Sequence, residues 1–244
     1  MIRMTSLVAI VSLCLGGCAT TTQQASSGFK RPSGTYRLVV MKPDIEVGVL
    51  TAGGLTEPRE DWTLKAREYV LEALKAQQAK RGGVTQVVFA STSAADDDPT
   101  LNDLYRLHAA VGQSILLHKY TPYAALPTKK GKFDWTLGKL ASDYGATTGN
   151  DYALFLYGRD SFSSGGRVAL QAVGLLGCVV GVCVIPDGGM QQAFVSLVDL
   201  KTGDVVWFNY LVSSVGDIRT PEGAGKMVDK LMETMRDAKA PRKS

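Results

Sequence analysis

The chain has 244 residues, 45% hydrophobic and 20% charged, with 27 basic against 23 acidic side chains for a net charge of +4. This is an ordinary globular composition, long enough for one domain with a sizeable core or for two small ones. The charge is too small and too dispersed to argue for nucleic acid as a partner.

Met1 to Thr5 carry one positive charge, Arg3, and Ser6 to Leu15 are almost wholly apolar, the layout of a secretory signal. A membrane-spanning helix needs about 20 apolar residues, roughly twice this run. The run ends at Leu15-Gly16-Gly17-Cys18, which resembles the lipobox of bacterial lipoproteins, where small residues fit the signal peptidase and the thiol accepts a diacylglyceryl group. The resemblance implies that residues 1–17 are removed and that Cys18 opens the mature chain. A covalent diacylglyceryl and acyl lipid on Cys18 then anchors it to a membrane, with no other cofactor expected. Ala19 stands where members kept in the inner membrane often have Asp, which implies an outer-membrane lipoprotein facing the periplasm. Residues 18–33 read as the lipidated cysteine and a polar, flexible tether, and 34–244 as a single periplasm-facing α/β domain.

Residues 35–42, TYRLVVMK, have strand composition, and Pro43 limits the strand. The segment VGVLTAGGLTEPRED reads as flexible. Asp61 can cap a helix carrying Trp62, Ala66, Tyr69, Val70, Ala73 and Leu74 at helical spacing, with Gly82 and Gly83 as its stop. Val84 to Ala90 read as a strand. Asp98-Pro99 suits the N-cap and first position of a second helix, striped by Leu101, Leu104, His108, Val111 and Ile115. A loop runs from Tyr120 to Lys132, and Asp134 opens a third helix with Leu137, Leu140, Ala141 and Tyr144 on one face. Three strands follow, DYALFLYGRD, QQAFVSLVDL and VVWFNYLVS, the last two joined by the hairpin residues Lys201-Thr202-Gly203-Asp204. A closing helix from Thr220-Pro221 carries Val228, Leu231, Met232 and Met235 as one stripe. The expected fold is α/β (α+β): a mixed sheet of about five strands with amphipathic helices packed on it, plus an apolar Gly-rich segment.

The phrases DYALFLYGRD and VSLVDLKTGDVVWFN before a closing amphipathic helix resemble the bacterial envelope lipoproteins of the curli-secretion and penicillin-binding-protein activator group. The resemblance implies a periplasm-facing domain that binds other envelope proteins and brings no catalytic residues.

Catalytic machinery is not legible. The two histidines, His108 and His118, lie ten residues apart on one expected helix, roughly 15 Å along its axis, too far to share a metal. His108 on the apolar stripe reads as a core residue. Asp96, Asp97 and Asp98 lack the alternating spacing of a calcium loop, and neither Gly53-Gly54 nor Gly165-Gly166 has a phosphate-loop pattern. Glu46, Glu57, Glu60 and Asp61 cluster by the flexible segment, and Glu57, Glu60 and Asp61 are candidate partner-binding residues.

The unusual stretch is residues 168–185, VALQAVGLLGCVVGVCVI, whose one conventional polar side chain is Gln171. Its length makes it a membrane-span candidate. Its place between strands of one sheet, the turn at Pro186-Asp187-Gly188-Gly189 and the need of an outer-membrane lipoprotein to cross the periplasm favour a helix packed on the domain or a neighbouring copy. Gly174, Gly177 and Gly181 are candidates for close backbone approach to a partner. A helix through Cys178 and Cys183 would set them about 8 Å apart, beyond the roughly 7 Å bridging limit. The helical reading therefore predicts free thiols, whereas a tight hairpin would bring them into range.

The reading is a lipid-anchored envelope protein acting as a non-catalytic binding or assembly accessory factor, with an envelope protein partner or self-association. The alternatives are an oligomeric structural or secretion-channel-like lipoprotein and an envelope-polymer hydrolase.

Overall fold

Tyr152–Ser163 is the central strand, because its side chains alternate between two apolar layers. Leu154 and Leu156 face one layer, and Ala153, Phe155 and Tyr157 the other. The computed structural model describes residues 19–25, 35–81, 86–90, 98–179, 181–214 and 216–236. In chain order the elements are β1 (Ala19–Ala25), β2 (Arg37–Val40), β3 (Asp44–Leu50), β4 (Thr56–Pro58), α1 (Glu60–Arg81), β5 (Gln86–Phe89) and α2 (Pro99–Tyr120). They continue with α3 (Gly138–Thr148), β6 (Tyr152–Ser163), α4 (Gly165–Val179), β7 (Gln191–Asp199), β8 (Val205–Ser213) and α5 (Pro221–Arg236). The fold is a mixed α/β sheet with helices on both faces.

β6 pairs antiparallel with β7, which pairs with β8. On its other side β6 takes two parallel neighbours end to end: β2 along Tyr152–Leu154 and β3 along Tyr157–Ser163. Pro43, which has no N–H to give the ladder, sits in the break between them. β2 pairs onward with β5, and β3 with β4. Helices α1 and α5 cover one face, with Ala66, Val70, Leu74, Val228, Leu231 and Met232 against Leu154, Leu156, Val195 and Trp207. Helices α2 and α3 cover the other, with Leu104, Ile115, Leu137 and Ala141 against Phe155, Phe194 and Phe208. The Asp98 carboxylate caps α2 by accepting from the N–H groups of Thr100 and Leu101.

The sheet is larger than the sequence pattern indicates. Residues 19–25, expected in the tether, form β1, antiparallel to β8 with Ala19 opposite Ser213 and Ala25 opposite Trp207. The β-branched threonines suit a strand, and β8 would otherwise be an open edge. Residues 26–33 lie outside the described residues. The segment read as flexible instead holds β3 and β4, joined by a turn in which the Thr51 N–H donates to the Leu55 carbonyl at 2.8 Å. Helix α3 begins at Gly138, not Asp134. The chain ahead of it is held in a bridge between Thr136 and Asp204, with Val205 N–H donating to Trp135 and Leu137 N–H to Gly203. Gly82, Gly83, Asp96 and Asp97 lie outside the described residues, as does the Met235 side chain.

Candidate functional site

One end of the sheet collects the unusual features. Asp160 on β6 lies opposite Gln191 on β7, Gln191 opposite Ser213 on β8, and Ser213 opposite Ala19 on β1. On the other side of β6, Leu50 of β3 faces Ser163 on one flank and Thr56 of β4 on the other. The segment between β6 and β7 leaves from this end and returns to it.

That segment is an arm. Helix α4 carries it out, the chain reverses at Gly181, which has φ +91°, and residues 182–190 return to β7 without strand pairing. The two limbs touch closely: a Cβ on Gly174 would lie 2.2 Å from the Val184 carbonyl oxygen, and one on Gly177 2.5 Å from that of Val182. The chain's own return limb thus makes the close approach at these glycines. Gln171 donates to the Pro186 carbonyl at 3.2 Å. At the base, Arg167 donates through Nε to the Asp187 carbonyl and through a guanidinium nitrogen to that of Ala52, tying α4 to the return limb and the β3–β4 turn.

Cys178 and Cys183 form a disulfide, with Cα atoms 4.0 Å apart. The expectation of free thiols is corrected: α4 stops at Val179, so Cys183 lies on the returning limb rather than on the helix. The arm is also largely uncovered by its own domain, which corrects the first of the two covers expected, the domain or a neighbouring copy. Val173 is 65% exposed and Leu176 69%, with Val168, Leu170, Leu175, Val182, Val184 and Ile185 exposed as well. Leu55 in the neighbouring turn is 73% exposed.

Beneath the arm is a cavity of about 130 Å³ lined by Asp160, Ser161, Gly189, Gln191, Ser213 and Gly216. Gln191 donates to Asp160 at 3.2 Å. Burial pushes the Asp160 carboxyl up to about 6, with the Asp217 charge adding to the rise against the Gln191 hydrogen bond and backbone donors. Nearby, Arg219 forks onto Asp217 at 2.7 and 2.8 Å and stacks 3.5 Å from the Phe162 ring centroid. That hydrogen bonding holds the Asp217 carboxyl below the usual range. A second, open groove of about 400 Å³ runs beside the β2–β3 break, lined by Lys42, Arg67, Arg106 and Arg159 with Asp44. Arg159 pairs with Asp44 at 2.9 Å and Arg67 donates to the Ile45 carbonyl at 3.0 Å. These positions are scattered along the chain, so no spacing in the sequence announces the groove.

Of the sequence candidates, Glu57 is exposed on β4 opposite Val49, and Glu60 opens α1. Asp61, expected as a cap, lies inside the first turn of α1 and pairs with Arg59 at 3.1 Å. The arm meets this β3–β4 unit at its base, where Arg167 donates to the Ala52 carbonyl at 3.4 Å and a Cβ on Gly166 would lie 3.4 Å from that of Ala52, and not at Gly174, Gly177 or Gly181. Cys18 lies outside the described residues, one position before Ala19. His108 is 2% exposed in the core, and His118 hydrogen-bonds the Ala124 carbonyl at 2.6 Å. Among the described residues no cluster of three or more His, Cys, Asp or Glu could hold a metal, and no helix is long and apolar enough to cross a membrane.

No protein-family model matches the chain, and no curated protein sequence matches it. Among solved structures, the PelC dodecamer from Paraburkholderia phytofirmans aligns with a TM-score of 0.39 and 13% identity, covering 92% of this chain and 100% of that one. The LpoB C-terminal domain from Salmonella enterica aligns with a TM-score of 0.28 and 13% identity, covering 86% of this chain and 93% of that one.

Proposed function

We propose that this is a lipid-anchored protein of the bacterial envelope, held to the outer membrane through Cys18, that works by binding as an accessory or assembly factor rather than by catalysis. The end of the sheet that pairs the apolar arm with the acidic rim of the β3–β4 turn carries the reading. The arm is a disulfide-closed hairpin whose large apolar side chains stand in solvent, and a contiguous exposed apolar surface marks a place of association. The disulfide suits an oxidising compartment, and export through the lipobox at Cys18 would deliver the chain to one. The acidic positions Glu57, Glu60 and Asp61 beside the β3–β4 turn offer a polar rim for an envelope protein partner, with Gly174, Gly177 and Gly181 shaping the arm next to it.

The test is photo-crosslinking in intact cells from Glu57 and Glu60, paired with intact mass of the purified protein. A reproducible envelope protein at the rim, on a chain that begins at an acylated Cys18, supports the reading. A mature chain without lipid, or hydrolysis of an envelope polymer abolished by one substitution, overturns it.

A further inference from the structure

We infer that the arm is a membrane-contacting hairpin, seated in the headgroup region of the leaflet to which Cys18 is attached. This rests on the lipid anchor proposed above and names what the arm touches. The register places the two together. Ala19 stands opposite Ser213 and Ser213 opposite Gln191, the residue into which the arm returns. At about 4.8 Å per strand, the residue next to Cys18 lies roughly 10 Å from the arm's base. An anchor there leaves little slack, and it brings this end of the sheet, arm first, to the lipid surface.

The arm's chemistry fits that surface better than a second protein. At 3.6 residues per turn, the exposed Val168, Leu170, Val173, Leu175 and Leu176 cover well over half the circumference of α4. The return limb adds Val182, Val184 and Ile185 on its own side. A protein partner covers one face, whereas lipid surrounds a hairpin that is apolar on several. Between Arg167 and Asp187 there is no charged residue, and Gln171 is turned inward onto Pro186. Arg167 at the base stands where headgroup phosphates would lie. Depth is limited by the backbone. The 15 residues of α4 span about 22 Å against a core of about 30 Å, and the return limb makes no strand pairing to satisfy its amides in hydrocarbon. The arm therefore lies in the interface and does not cross.

The experiment uses the lipidated full chain in vesicles of phosphatidylethanolamine and phosphatidylglycerol, with Leu176→Trp as the reporter and brominated lipid as the quencher. Quenching of the added fluorescence above that of the native tryptophans is expected; its absence in protein whose acylation is verified by mass overturns the inference. A second arm needs no anchor. Chain exported by a cleavable non-lipoprotein signal in place of residues 1–17 and carrying Cys18→Ser should float with the same vesicles, and Val173→Asp with Leu176→Asp should cut the bound fraction about tenfold while leaving the melt unchanged, since both side chains are exposed. Equal flotation of the two proteins overturns the inference. So does a concentration-dependent dimer, seen without vesicles and lost in the double variant, which would make a second copy the occupant. Failure of acylation appears only in the mass of the native-Cys18 protein, and leaves the flotation result standing.

Discussion

The Nε2 atom of His108 lies 3.0 Å from Oγ of Ser196, with the imidazole stacked on Phe155 at a centroid distance of 4.6 Å. Burial pushes this histidine down to about 3, so it is neutral in the fold. An unfolded chain takes up the proton near pH 6.5. Protonation therefore favours unfolding: the contribution of His108 is fully present above pH 6.5 and is lost as pH falls toward 3. His108→Gln, which keeps a polar group toward Ser196, should reduce the loss of stability between pH 6.5 and 4.5, measured by urea midpoints at each pH. An unchanged slope would mean that the imidazole is solvated. Ser196→Ala should cost about 1 to 3 kcal/mol at pH 7, because it leaves a buried ring nitrogen unpaired.

Asp160 has the opposite sign. Its carboxyl is raised to about 6 in the fold against an ordinary value near 3.9, so the ionised form is the strained one. Its stabilising influence is present below about pH 4 and disappears as pH rises through 6. At 1.36 kcal/mol per pH unit the full difference is on the order of 2 to 3 kcal/mol. Asp160→Asn should therefore be more stable than the native chain at pH 7.5, and that advantage should vanish by pH 4. A variant no more stable at pH 7.5 would show that water in the cavity solvates the carboxylate.

The disulfide should protect the arm rather than the whole fold. Cys178 and Cys183 close a small loop outside both cores, so breaking it chiefly changes the local opening of the arm. Cys178→Ser with Cys183→Ser should leave the global thermal midpoint nearly unchanged and speed proteolysis within residues 179–186. Thiol titration of the unfolded, unreduced Cys18→Ser chain, with residues 1–17 and their Cys14 replaced by a cleavable signal, should find no free thiol. Two free thiols would show that the bridge does not form.

Gly112 sits where α2 crosses the sheet: a Cβ there would lie 2.1 Å from the Phe194 ring, inside van der Waals contact. Gly112→Ala must push Phe194 away from its stacking with Tyr157 and Phe208, and overpacking of this kind costs about 1 to 3 kcal/mol. A lower midpoint in a still cooperative melt is expected. An unchanged midpoint would mean that the ring moves freely.

The helix stripes and the strands β6, β7 and β8 were legible because burial on one or two faces writes a period into the sequence. Val228, Leu231 and Met232 are fully buried at the spacing that announces them. β3 and β4 were not legible, because Gly53 and Gly54 in their turn and the exposed acids Glu46 and Glu57 on the strands imitate a loop, while the parallel partner of β3 is the distant β6. β1 was hidden for a related reason: a polar edge strand carries no apolar period, and its stability comes from β8. At the candidate site, the apolar run and its turn were visible, but whether Cys178 and Cys183 meet depended on where the helix ends, which Gly181 decides. The basic groove and the Asp160 cavity exist only after folding gathers distant residues.

The pairing of β1 with β8 fixes how close the anchor sits to the arm, and it can be broken selectively. In an antiparallel pair the N–H groups of successive residues point alternately toward and away from the partner strand. Of the adjacent residues Thr21 and Thr22, opposite Leu211 and Tyr210, one donates to β8 and the other points away. Thr21→Pro and Thr22→Pro should therefore differ: one should release β1 and the other be tolerated as an edge proline. Hydrogen exchange along β8 reads the result, with protection lost in the first variant and kept in the second. In the lipidated chain the disruptive proline should also lengthen the tether and weaken lipid quenching at Leu176→Trp. Equal protection of β8 in both variants would show that residues 19–25 do not belong to the sheet.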